Sequence, residues 1–219
     1  MKSIVLTILT LFFCTLSCTS NTATKEHVAK EKVTQQDLSK YETAYFASGC
    51  FWCVEAVFES VKGVKEVVSG YAGGKAETAN YQLVSAGRTD HAEAVKVYYD
   101  AKVVSYETLV KVFFGSHDPT TLNRQGPDAG RQYRSAIFYK NAKEKKIVDT
   151  YIKKLIADKV FNGTITTEIT PYKAFYDAEA YHQDYEANNP NNPYIRGVSV
   201  PRLKRFQKKF PELLKKDAH

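Results

Sequence analysis

Apolar positions along the chain alternate between strand and helix periods. Tyr45 to Ala47 is a short apolar strand that runs into a polar turn, Ser48-Gly49. Val54, Val57, Phe58 and Val61 then fall at i, i+3, i+4 and i+7, which predicts a helix with one buried stripe. Gly63 stops it, and β-branched Val64 to Ser69 predicts a strand leading to the glycine-rich turn Gly70-Tyr71-Ala72-Gly73-Gly74. A short helix near Tyr81 to Val84 precedes a strand over His91 to Asp100, where Glu93, Val95, Val97 and Tyr99 share one face. Ser105 caps a helix carrying Leu109, Val112 and Phe113. The long loop Ser116 to Arg134 has the length of a functional segment. Ser135 to Tyr139 is a strand, and Asn141 with Glu144 opens a helix facing Ile147, Val148, Tyr151, Leu155 and Ile156 inward. Thr164 to Ile169 reads as the last strand, and Pro171 to Asn189 as containing a helix. The order predicts an α+β fold, helices on a mostly antiparallel sheet.

Composition adds boundaries. At 219 residues and 43% hydrophobic, the chain buries one sizeable core. Residues 1–17 read as a signal peptide: Lys2, then the apolar run Ile4 to Phe13, too short to span a bilayer. Leu16-Ser17-Cys18 reads as a lipoprotein cleavage site with Cys18 lipidated; a soluble exported protein is the alternative. Either way the protein is expected in the cell envelope, lipid-anchored or periplasmic. Residues 18–43, rich in Thr, Lys, Glu and Gln, read as a flexible tether, 44–195 as the domain and 196–219 as a basic tail. Of the net charge of +7, the tail contributes eight basic and two acidic side chains, which leaves the domain neutral and argues against a nucleic-acid partner.

Cysteine count narrows the chemistry. With Cys14 and Cys18 in the leader, Cys50 and Cys53 remain: too few for a disulfide scaffold, enough for one redox pair. With Ser48 or Gly49 as the cap, Cys50 sits in the first helical turn, where unpaired N–H groups and the helix dipole favour a thiolate. Cys53 lies one turn on, close enough to resolve a bond formed on the first sulfur. A buried structural pair or half of a zinc site remain open readings. Glu93, on an apolar strand face, is expected to be desolvated and hence a proton donor near neutral pH. Asp128 and Tyr133 in the long loop, and Tyr81, add a carboxylate and two phenols.

Five motifs in order now resemble one family. Gly49-Cys50-Phe51-Trp52, Gly70-Tyr71-Ala72-Gly73-Gly74, His91-Ala92-Glu93-Ala94-Val95, Gln132-Tyr133-Arg134-Ser135-Ala136 and Phe175 to Gln183 look like peptide methionine sulfoxide reductase of the A type. The resemblance covers roughly Tyr45 to Pro190 and implies a ferredoxin-like two-layer α/β sandwich with a mixed, mostly antiparallel sheet. It implies Cys50 as the nucleophile on the sulfoxide sulfur, Glu93 as the acid, Tyr81 and Tyr133 as donors to the sulfoxide oxygen, and Asp128 as a substrate-binding residue. Phe51 and Trp52 match the apolar box around the substrate methyl group. No bound cofactor is implied; the expected partners are oxidised proteins, free methionine sulfoxide and a thioredoxin-like reductant, and the expected state is a monomer. Two departures stand out. Cys53 replaces a common Gly and no cysteine follows it, so Cys53 is the one internal candidate to resolve a Cys50 sulfenic acid. Asp90 stands where many members have Gly, near Glu93. Two rivals are a thioredoxin-like disulfide oxidoreductase, which also uses C-x-x-C, and a zinc module built on Cys50, Cys53, His91 and His182.

Overall fold

The computed structural model describes residues 38–216. The signal segment, Cys18 and the tether up to residue 37 lie outside the described residues. The chain opens with strand β1 (Glu42–Ser48), helix α1 (Phe51–Glu59) and strand β2 (Val64–Ala72). Helix α2 (Tyr81–Ser85), strand β3 (Ala92–Tyr99) and helix α3 (Tyr106–Gly115) follow. The long loop holds the two-residue strands β4 (Arg124–Gln125) and β5 (Asp128–Ala129). Strand β6 (Ser135–Tyr139), helix α4 (Ala142–Ala157), strands β7 (Glu168–Pro171) and β8 (Phe175–Asp177), helix α5 (Tyr185–Asn188) and helix α6 (Val200–Lys209) complete it.

Six strands form a sheet in the order β7-β6-β1-β3-β2-β8. Only β6 and β7 pair in parallel. Alternation puts Phe46, Val95, Val97 and Ile137 into the main core with Val57 and Phe58 of α1 and Leu109 and Phe113 of α3. The opposite face is small: Tyr45, Ala47, Ala72, Ala92, Ala94, Ala136 and Phe138, with Tyr172 and Phe175 packed against them. Such an Ala-lined face lets chain segments approach the sheet closely. Caps fall where polar side chains were expected. Ser105 accepts from Thr108 N at 3.1 Å and Asn141 from Glu144 N at 3.0 Å; Asn80, a cap the sequence reading did not name, accepts from Leu83 N at 3.0 Å, and Ile156, expected to face inward on α4, is exposed instead.

Four further readings change. Gly70 to Ala72 belong to β2, so the turn is Gly73-Gly74 alone. The strand expected over Thr164 to Ile169 begins at Glu168, because Thr166 spends its N–H (2.8 Å) and hydroxyl (3.1 Å) on Pro119 O of the long loop. The helix expected within 171–189 is confined to the four-residue α5, and the rest of the segment holds strand β8 and a 3₁₀ turn at Ala180–His182. Gln183 acts there as a strand partner, accepting from Ser69 N (2.9 Å) and donating to Ser69 O (3.0 Å). Asp184, at φ 53°, then prevents a continuous helix.

The basic tail read over 196–219 is largely packed structure. Asn192 Oδ1 accepts from Tyr194 N at 2.9 Å, and Pro193 follows the cap, so the Asn-Pro pair starts a helix. A π turn over Ile195–Ser199 leads into α6, whose Arg202, Leu203 and Phe206 are buried. The basic residues expected in solvent are those on its other face.

Candidate active site

Strand β1 delivers the chain to Gly49, whose φ of +89° turns it sharply into α1. An added Cβ there would lie 2.7 Å from Gln125 Cβ, so only glycine fits. Cys50 is the N-cap of α1, one position earlier than the first turn, and Phe51 opens the helix. The end of β1 is held by the buried Arg202, which donates to Ser48 O (2.8 Å), Ser48 Oγ (3.0 Å) and Ser116 O (2.8 Å).

Glu93, 2% exposed, faces this turn from β3, and its Oε2 accepts from Phe51 N at 3.1 Å. Burial pushes its carboxyl up to about 8, against the pull of that hydrogen bond, so it carries a proton at neutral pH. Asp128 adds to the same direction. Asp90 has no such influence: it is exposed and ion-paired to Arg131 at 2.8 Å.

The two thiols are free and hydrogen-bonded to each other. Burial, that bond and Glu93 push Cys50 well up. The bond from Cys50 and the nearby Arg202 guanidinium bring Cys53 down to about 6. The expected Cys50 thiolate is therefore corrected. At the N-cap, surrounded by apolar groups and a carboxyl, desolvation outweighs the helix dipole. Within the pair, the surroundings favour charge on Cys53, beside Arg202, over charge on Cys50.

Tyr81 and Tyr133 converge on the same point. Both hydroxyls are raised by burial first and then by the nearness of Glu93 and Cys50, so both stay donors. Tyr81 is set by Glu179, whose Oε1 accepts from Tyr81 N (2.9 Å) and Oε2 from Tyr71 Oη (2.7 Å). Trp52 donates from Nε1 to His182 Nδ1 (3.1 Å) and stacks on Tyr185 at 3.7 Å. Phe51 is fully buried against Tyr71 and His182, and so backs the site from the core. Asp128 Oδ2 accepts from Tyr194 Oη at 2.6 Å, and the Tyr194 hydroxyl lies 3.8 Å from Cys53 Sγ.

All the sequence-predicted residues of the domain thus meet. The motif reading missed Tyr194, Arg202, His182 as the Trp52 anchor, and Glu179; the Asn-Pro helix start and the i, i+4, i+7 set Ile195, Ser199, Arg202 were the signals. A zinc set does not form. His91 accepts from Gly74 N and donates to Lys75 O (2.9 Å), and among the described residues the clustered donors are Glu55, Glu59 and Asp184 instead. A thioredoxin-like reading leaves the Glu93–Tyr81–Tyr133 group without a task.

Known proteins agree with the geometry. The family described as peptide methionine sulfoxide reductase matches residues 42–214. Peptide methionine sulfoxide reductase MsrA 2 of Synechocystis is 49% identical over 175 residues, covering 80% of this chain and 82% of that protein. MsrA of Thermus thermophilus is 45% identical, covering 80% and 98%. Among solved structures, reduced Mxr1 of Saccharomyces cerevisiae superposes with TM-score 0.66 at 36% identity, covering 70% of this chain and 88% of that one. Methionine sulfoxide reductase A of Corynebacterium diphtheriae gives 0.61 at 39%, covering 68% and 75%. With a thiol pair, a protonated carboxyl and two phenols around one point, and with that similarity across nearly all of the described chain, this protein belongs to the peptide methionine sulfoxide reductase family.

Proposed function

We propose that the protein reduces the S epimer of methionine sulfoxide, free and in oxidised proteins, with Cys50 as nucleophile and Cys53 as resolving thiol. The observation that carries this is the buried, protonated Glu93 facing Cys50 together with Tyr81 and Tyr133. A sulfoxide presents one strongly polar oxygen on an apolar thioether, and needs donors on one side and an apolar wall on the other. Tyr81, Tyr133 and Glu93 are the donors; Trp52 and Phe51 are the wall. Asp128, fixed by Tyr194, takes the polar part of the substrate.

Proton transfer within the cysteine pair places the negative charge on Cys50, which attacks the sulfoxide sulfur. Glu93 protonates the oxygen, which leaves the methionine sulfur as water-level hydroxide and bonds to Cys50 Sγ; the sulfur–sulfur bond breaks with its electron pair going to the departing methionine, and Cys50 is left as a sulfenic acid, two electrons more oxidised. Cys53 then condenses with it, releasing water and forming the Cys50–Cys53 disulfide. A thioredoxin-like dithiol closes the cycle. Turnover of the two epimers with a thioredoxin system tests the reading; R preference or equal rates would overturn it.

We also read the sandwich as ferredoxin-like, supported by the β6-β1-β3-β2 order and the βαββαβ succession that builds it. The export reading, with a lipid on Cys18, is a further proposal resting on the N-terminal sequence alone. Labelled fatty acid that fails to enter the protein in cells would favour the soluble exported form.

A further inference from the structure

The two sulfurs differ in their surroundings. Cys50 meets Glu93, Tyr81 and Tyr133, the groups that receive the sulfoxide. Cys53 instead lines a cleft of about 680 Å³ between the long loop and α6, and is the one cysteine among the described residues lining it. Four cations border this cleft, Arg124, Arg202, Arg205 and Lys209, against two acids, Asp118 and Asp128. Both acids are already engaged: Asp118 Oδ1 accepts from Thr120 N (2.9 Å) and Thr120 Oγ1 (2.6 Å), and Asp128 holds Tyr194. Arg124, Arg205 and Lys209 are exposed. Arg202 is buried, and its three hydrogen bonds go to neutral oxygens.

From this geometry we infer that the cleft is the docking site of the reducing protein, a small dithiol protein with an acidic face, and that its thiolate attacks Cys53. The inference rests on the Cys50–Cys53 disulfide of the proposed cycle. Charge decides between the sulfurs. An incoming thiolate reaching Cys53 passes a cationic rim and meets the Arg202 guanidinium. One approaching Cys50 faces the Glu93 carboxyl and the substrate-binding side chains. A basic rim also favours encounter with an acidic partner face.

The steps balance. The reductant thiolate bonds to Cys53 Sγ, the Cys50–Cys53 bond breaks, and its electron pair goes to Cys50 Sγ, which takes the proton of reprotonated Glu93. The reductant's second thiol then attacks the reductant's own sulfur and frees Cys53 as a thiolate beside Arg202, the state its lowered pKa favours. The reductant leaves as its disulfide, two electrons poorer.

The test starts from full-length enzyme oxidised by one equivalent of methionine sulfoxide, with the disulfide mapped by peptide mass spectrometry. A thioredoxin whose second active-site cysteine is serine is then added, and the mixed disulfide is mapped. The expected adduct is on Cys53. In steady state, the double variant Arg205→Glu, Lys209→Glu should raise KM for thioredoxin about tenfold or more. Methionine yield in single turnover and turnover with dithiothreitol should match the parent. An oxidised enzyme lacking the Cys50–Cys53 bond removes the underlying reading and the docking site with it. With that bond present, an adduct on Cys50 or an unchanged KM overturns the docking site alone.

Discussion

The alkaline limb of the reductase step should belong to Glu93, and its position follows from burial. The pair of thiols loses its first proton at about pH 6, and Glu93 keeps its own to about 8. Between those values the pair carries one negative charge and the acid is protonated, so single-turnover methionine release should be flat. Below 6 the pair gains a second proton and the nucleophile disappears. Above 8 the acid is lost, since a general acid works only while protonated, and about 1% of it is left at pH 10. The rate should therefore fall about 100-fold from plateau to pH 10. Glu93→Gln preserves shape and removes the proton; it should lower the plateau by roughly 10²–10⁴-fold and abolish the alkaline limb. Rapid-quench measurement of methionine release from pre-reduced enzyme, pH 5 to 10 without reductant, reads both effects. A limb near 8 that survives in Glu93→Gln, or a variant within a few-fold of the parent, would refute the assignment, and the tyrosines alone would then suffice.

Cys53→Ser should still release about one equivalent of methionine and leave a dimedone-reactive sulfenic acid on Cys50, yet fail to cycle with thioredoxin; normal cycling would make Cys53 a bystander. Gly49→Ala should destabilise the fold by about 1–3 kcal/mol and slow methionine release, because a side chain at φ +89° meets Gln125; parent-like melting and rate would show that the turn tolerates it. Glu55, which accepts from Ser69 Oγ and Asp184 N, is pushed by burial from 4.5 to about 8. Folding then binds a proton, so the stability it confers is full below about 4.5 and is lost as pH rises through 8. Urea midpoints from pH 5 to 9 should decline less in Glu55→Gln than in the parent, at up to about 1.4 kcal/mol per pH unit for one group; parallel curves would sink the idea.

The parts legible in the sequence were those whose signal is local. Alternation alone put Glu93 on the face of Val95 and Val97, and burial there is what makes it an acid. Cap chemistry placed α3 and α4 correctly. Tyr194 and Arg202 were not legible as site residues because they reach the cysteines from the far end of the chain, across 141 residues in the case of Cys53 and Tyr194. A run of lysines and arginines looks the same whether one face is solvated or all are, and only packing against α1 tells them apart. The Cys50 ionisation failed for a related reason. A helix start is visible in sequence, while the carboxyl and apolar wall that outweigh its dipole come from other strands.

Arg202 has a practical consequence for anyone dividing this protein. A fragment ending at residue 195 would retain the cysteines, Glu93, Tyr81, Tyr133, Asp128 and Tyr194. It would lack the Arg202 side chain, which ties the last residue of β1 to the end of α3. Ser48 would then have to find another partner for its carbonyl oxygen, two residues before the nucleophile, and Cys53 would lose its neighbouring cation. The smallest working unit is therefore set by a guanidinium rather than by the final motif. A tag or fusion is safer beyond the short turn at Pro211–Leu213 than anywhere in the stretch whose charge alone suggests a dispensable tail.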